Sequence, residues 1–149
     1  MKKIIALLAV ALVASMAWAE DLEKKVSLQE LPEKAQEFLN TYFEGVKVKK
    51  VIKTTDAYTF VEEFDVYLSN KTQIEFDMVG AWNEITLKNK KVEMPRFIYP
   101  NRVVDTIDNQ YADKKIVKVS NDGMEYDIKF KDGSEVTINA LCKMLEFEK

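Results

Sequence analysis

Residues 31–51, LPEKAQEFLNTYFEGVKVKKV, decide the architecture, because the same pattern returns at residues 99–119 as YPNRVVDTIDNQYADKKIVKV. In the first stretch Pro32 stands where a first-turn proline is tolerated, its missing N–H being one that a helix start leaves unpaired anyway. Ala35, Phe38, Leu39, Tyr42 and Phe43 then recur at three- and four-residue steps, one apolar helical stripe. Gly45 is a natural stop, since glycine takes the left-handed conformation beyond a helix end at little cost. In the second stretch Pro100 leads, and Val103, Val104, Ile107 and Tyr111 stand 68 positions after Ala35, Gln36, Leu39 and Phe43. Lys115-Ile116-Val117-Lys118-Val119 likewise follows the strand entry Lys47-Val48-Lys49-Lys50-Val51.

Beyond each helix the apolar period changes from helical to two. FVEEFDVYLSNKTQIEFD puts Phe64, Val66 and Leu68, then Ile74 and Phe76, on one side of two strands that turn at Asn70-Lys71. MEYDIKFKDGSEVTIN repeats this with Tyr126, Ile128 and Phe130, then Val136 and Ile138, around Asp132-Gly133. Asp-Gly between alternating strands predicts a tight hairpin turn with positive φ at both central residues; Lys71 in the glycine's place predicts a cost of about 1 kcal/mol or a longer loop. A turn at Asp77 to Gly80 leads to a fourth strand, Ala81 to Ile85, whose counterpart runs from about Cys142 to Phe147 without the glycine. The charged segment Glu20 to Glu30 reads as a loose arm, with Val26 and Leu28 alternating as a short edge strand would.

The expected fold is therefore α+β: two tandem repeats, each a helix followed by about four antiparallel strands, with the helices packed on one sheet face. Residues 20–87 make the first repeat with its arm, and residues 88–149 the linker and second repeat. The linker carries apolar Phe97, Ile98 and Tyr99 beside Arg96, which predicts packing at the junction and one globular domain. A half of roughly 60 residues buries too little surface to be secure alone.

The chain opens MKKIIALLAVALVASMAWAED: two lysines, an apolar run of roughly 15 residues, then small residues at Ala17 and Ala19. That layout predicts a cleavable signal over residues 1–19, with no membrane insertion after cleavage, because a span needs about 20 apolar residues. Loss of Lys2 and Lys3 takes the formal charge from −3 to about −5. An acidic chain without a basic stripe is a poor nucleic-acid binder. The one cysteine, Cys142, closes no internal disulfide and reads as a partly buried strand residue. The chain has no histidine, which removes histidine-based nucleophile pairs, histidine bases and the usual zinc sites. No catalytic residue, metal site or cofactor is expected.

In the order of these motifs the chain resembles the PepSY-like, beta-lactamase-inhibitor-like proteins exported by Gram-negative bacteria. Matching positions are Pro32, Phe38, Phe43, Val66, Leu68, Asn70, Ile74, Phe76, Asp77, Gly80 and Trp82, then Pro100, Tyr111, Tyr126, Ile128, Asp132, Gly133, Val136 and Ile138. The resemblance implies a tandem helix-plus-sheet fold, a periplasmic location and an association with restraint of peptidases. It carries over no catalytic or binding residue.

Two groups of candidate site residues remain. Glu63, Asp65, Glu75 and Asp77 alternate with the core positions and should project from the wet face of one hairpin. Clustered carboxylates are able to hold Ca²⁺ or to act as an acid–base pair, the competing reading being a solvated face. Tyr67 shares the wet-face parity, Tyr58 precedes the same strand, and Trp82 is out of phase with Ile85. Either a bulge turns Trp82 inward or it stands exposed beside Tyr67 as an interface anchor. The functional expectation is a non-enzymatic module that binds another exported protein; the alternatives are a small-ligand or Ca²⁺ sensor and, behind it, a carboxylate hydrolase. Homo-oligomerisation stays open.

Overall fold

The computed structural model describes residues 21–139 and 144–148; the signal-like segment and Cys142 lie outside them. Nine strands form one antiparallel sheet in sequence order. These are β1 Leu22–Val26, β2 Val48–Thr55, β3 Glu62–Leu68, β4 Thr72–Asp77, β5 Trp82–Leu87, β6 Ile116–Asn121, β7 Glu125–Phe130, β8 Glu135–Asn139 and β9 Met144–Glu148. Helix α1, Glu33–Tyr42, lies between β1 and β2, and α2, Asn101–Gln110, between β5 and β6. Short 3₁₀ turns, Leu28–Glu30 and Arg96–Ile98, precede the two helices. Both helices, both 3₁₀ turns and the strands β2 and β6 start 68 residues apart. The fold is α+β. Among the described residues no helix is long and apolar enough to cross a membrane.

Period-two alternation sorts the side chains between the faces. Val51, Val66, Ile74, Ile85, Val119, Ile128 and Val136 lie opposite one another across seven strands and are all buried. Branched side chains suit this half-covered pleated surface. Onto it α1 sets Phe38, edge-on to Phe76 with ring centroids 5.6 Å apart, and the end of α2 sets Tyr111, stacked on Phe130 at 5.3 Å. Ile98 and Tyr99 of the linker are buried in the same apolar cluster. Tyr99 meets Tyr126 and Tyr126 meets Trp82, so aromatic contacts run without interruption from Phe76 through Phe38 and Trp82 to the linker.

Two details depart from the sequence reading, and a third decides between alternatives it left open. The segment expected as a loose arm contributes β1, paired over its whole length with β2 and anchored by buried Val26, because it caps backbone groups that β2 would otherwise leave bare. Each tight hairpin has one left-handed residue rather than two: Lys71 (φ 67°), Gly80 (φ 84°) and Gly133 (φ 91°). Their N–H groups donate to the carbonyls of Leu68, Asp77 and Phe130 at 3.0–3.1 Å, a four-residue turn ending in a bulge. Lys71 therefore takes the left-handed position itself and the loop is not lengthened. Finally, a register shift at Glu75/Phe76 brings Phe76 opposite Trp82, and Trp82 is 8 % exposed.

Candidate functional site

The face opposite the helices carries the other half of the alternation. Directly opposed across it are Ile52, Asp65, Glu75, Glu84, Ser120, Asp127 and Thr137. Asp65, Glu75 and Glu84 thus stand side by side on three hydrogen-bonded strands, where facing Cβ atoms are about 5 Å apart and like charges repel. The outer two have partners. Asp65 accepts a hydrogen bond from Gln73 Nε2 at 3.0 Å, and Glu84 pairs with Lys118 Nζ at 2.9 Å while accepting from Thr86 and Ser120. Glu75 sits between them, and its carboxyl is pushed above the ordinary carboxylate range by burial first, then by the charges of Glu63 and Asp65; a hydrogen bond from Asn83 opposes the shift.

The other expected site residues scatter. Glu63 is exposed one step along β3, facing Thr54 and Asp77. Asp77 is not a free carboxylate of the cluster: its Oδ1 accepts from the N–H groups of Val79 and Ala81 at 3.0 and 2.8 Å and builds the β4–β5 turn. Tyr67 lies at the far end of β3 from Tyr58, half-buried with the Lys50 ammonium 4.2 Å from its ring centre. Burial, then Asp65 and Glu23, hold its hydroxyl above the usual tyrosine range. Tyr58 is 71 % exposed at the β2–β3 loop, beside exposed Phe60, so the two tyrosines do not form one group. Trp82 as an exposed anchor is corrected outright: the bulge beside Glu75 rotates it to the helix-covered side, where Phe38 packs on it.

Glu84 was missed among the candidates although its signal was present. Ile85 is a core position, so its neighbour had to face outward. A flat row of carboxylates on a sheet provides a negatively charged surface rather than a cleft in which an acid and a base converge on one bond. Among the described residues no three acidic or sulfur side chains are placed to hold a metal ion.

A family model described as "Putative beta-lactamase-inhibitor-like, PepSY-like" matches residues 62–146, more than half of the chain. The chain belongs to this PepSY-like family. No curated protein matches it. Among solved structures, the PepSY-like chain is similar to a "putative periplasmic protein from DUF2874 family" of Bacteroides vulgatus, with 27 % identity and a TM-score of 0.76 over 85 % of this chain and 97 % of that one. A second Bacteroides vulgatus protein, described as a "putative periplasmic protein of unknown function", is 25 % identical with a TM-score of 0.75, covering 87 % of this chain and 100 % of that one. A Bacteroides thetaiotaomicron protein described as a "putative calcium-regulated periplasmic protein" shares the fold at 23 % identity and a TM-score of 0.76, over 85 % of this chain and 97 % of that one.

Proposed function

We propose that the chain is an exported, periplasmic and non-enzymatic binding module. Residues 1–19 are its removable signal. Residues 20–87 and 88–149 are tandem PepSY-like units whose helices cover one sheet face, leaving the other to bind. The open face of the first unit takes a cationic surface of another exported protein, whose activity it modulates, an enzyme such as a peptidase being the expected kind. One observation carries this reading: Asp65, Glu75 and Glu84 are held opposite one another across three strands, with Glu75 half-buried, its carboxyl raised, and no cation paired to it among the described residues. Repelling charges placed in register cost the isolated fold stability, and a cationic partner relieves that cost while gaining electrostatic complementarity.

The test is affinity capture of residues 20–149 from envelope extract, with Glu75→Gln/Glu84→Gln alongside. An exported protein held by the wild type, released by raised salt and lost with the double variant is the expected result. Retention of the same partner by the double variant, and equally by Tyr67→Ala, removes this face from the account.

The carboxylate row also supports Ca²⁺ binding, the property that the calcium-regulated neighbour's description suggests. The absence of a converging trio among the described residues places this reading second. Selective binding to the folded state raises the melting temperature. An unchanged melt in millimolar Ca²⁺ ends it.

A further inference from the structure

A groove of about 700 Å³ lies at the edge of the sheet, between the end of α1 and the strands β1 and β2. Its walls include Leu39, Phe43, Val48 and Val51, with Leu28 at the mouth 38 % exposed. A groove occurs at the corresponding place beside α2, and the 68-residue offset matches their walls. Val26, Leu39 and Val48 of the first answer to Met94, Ile107 and Ile116 of the second. The second groove is only about 270 Å³, below the range of ordinary ligand pockets, whereas the first falls inside it.

The two grooves also differ in their ion pairs. Two ion pairs tie the second groove's walls: Arg96 with Asp108, and Lys115 with Glu93 at 2.8 Å. Offset by 68, the first pair becomes Leu28 and Asn40, which cannot form an ion pair. The second becomes Lys47 and Lys25, two cations where the other groove has a cation and a carboxylate. Among the described residues no carboxylate pairs with Lys25, Lys47 or Lys49, all of which line the first groove.

The geometry points to a ligand site in the first groove for an apolar carboxylate of the fatty-acid type. The ligand's carboxylate takes the place beside Lys47 that Glu93 takes beside Lys115, and its alkyl chain lies along Leu28, Val46 and Val48, which stay accessible above buried Leu39 and Phe43. The lysine stems add apolar cover while their ammonium groups stay at the mouth. The missing cross-groove ties leave room for the chain. This site is independent of the carboxylate row on the open face.

Dodecanoate, below its micellar concentration, is the probe, titrated into residues 20–149 and followed by backbone amide resonances and calorimetry. Saturable shifts at Leu39, Phe43 and Val46 to Val51, with none at Ile107 or Ile116, are expected. Dodecanol and dodecyltrimethylammonium should bind at least tenfold more weakly. Lys25→Glu, which restores the charge pattern of the second groove, should weaken dodecanoate at least tenfold, and so should Leu28→Arg/Asn40→Asp, which restores the other tie. Both variants lie at the surface and should melt as the wild type does. Equal binding of the alcohol, shifts outside this groove, unaltered affinity in both variants or no binding of dodecanoate each overturns the assignment. Glu75→Gln/Glu84→Gln should bind dodecanoate normally, so failure here and failure of the open-face reading are told apart.

Discussion

The two halves of the sheet solve the same covering problem with the same elements and then differ on the face they leave open. In the first half the middle row reads Ile52, Asp65, Glu75, Glu84; in the second it reads Ser120, Asp127, Thr137. There Asp127 stands alone between two hydroxyls, and Thr137 donates to it at 2.6 Å. The buried face shows no such divergence, since both halves present branched aliphatic residues in one continuous stripe. Packing demands hold one face fixed while the other is free to vary, and in this chain the facing carboxylates belong to the first half.

The largest effect should come from the residue that joins the halves. Trp82 touches Phe38 of α1 on one side and Tyr126 of β7 on the other, with ring centroids 6.3 and 6.2 Å away. Trp82→Ala should cost about 3–5 kcal/mol in denaturant unfolding, as large core truncations do. A loss under about 1 kcal/mol would mean that the halves do not share this core. Because the substitution attacks the fold, it says nothing about binding on the open face.

Glycine turns offer the next test. Gly80 has φ 84°, and a Cβ there would come within 2.8 Å of the Ala35 backbone nitrogen and 2.9 Å of Pro32 Cβ. Gly133 has φ 91° but open space around it. Gly80→Ala should therefore cost about 2–4 kcal/mol and Gly133→Ala about 1, the first paying for steric conflict with α1 as well as for the left-handed backbone. Equal losses would show that α1 does not press on the β4–β5 turn.

What was legible in the sequence follows the same division. The two helices could be read because a proline and a 3.6-residue stripe mark each of them, and β3, β4, β7 and β8 because their apolar residues alternate. Parity alone put Glu63, Asp65, Tyr67 and Glu75 on the face away from the core. The β1 strand was obscure, since LEKKV offers almost no apolar alternation and owes its pairing to the free edge of β2. The bulge at Glu75/Phe76 was half visible: Trp82 out of phase with Ile85 raised it as one of two readings, and the one-residue register shift, which reverses the side taken by Trp82, decides between them. The turn role of Asp77 went unread for a related reason, because an aspartate at a turn start serves the backbone as readily as it serves a ligand.

A smaller effect separates the β3–β4 and β7–β8 hairpins. Their turns share the backbone bond across the turn and one side-chain cap, to which the second adds bonds from Lys114 and the Ser134 hydroxyl to Asp132. Asn70 accepts from the Thr72 N–H and Asp132 from the Ser134 N–H, both at 3.0 Å. They differ in the residue at positive φ, Lys71 in one and Gly133 in the other. Lys71→Gly should raise stability by about 0.5–1 kcal/mol, relief of left-handed strain exceeding the added flexibility of the unfolded chain. Destabilisation instead would mean that Lys71 contributes a contact that the turn geometry does not require.

The smallest effect tests the comparison at its centre. Glu75 has a native pKa above its unfolded one, so its stabilising contribution is complete below the unfolded value and is lost as pH rises through the native value. Its charged form therefore works against the fold. Asp132 in the second half behaves oppositely: hydrogen bonds and charge from Lys114, with Ser134, hold its carboxyl well below the usual range, so its contribution is present at neutral pH and fades as pH falls. Glu75→Gln should therefore melt about 1–3 °C above the wild type at pH 7, given the size of cross-strand charge pairs. Below about pH 4, where Glu75 is protonated in both states, the two curves should converge. Asp127→Asn, which removes a carboxylate with no carboxylate facing it, should give no such gain at any pH. If Glu75→Gln lowers the melting temperature at pH 7, the facing carboxylates do not repel, and the acidic row loses the energetic tension on which its proposed binding of a cationic partner rests.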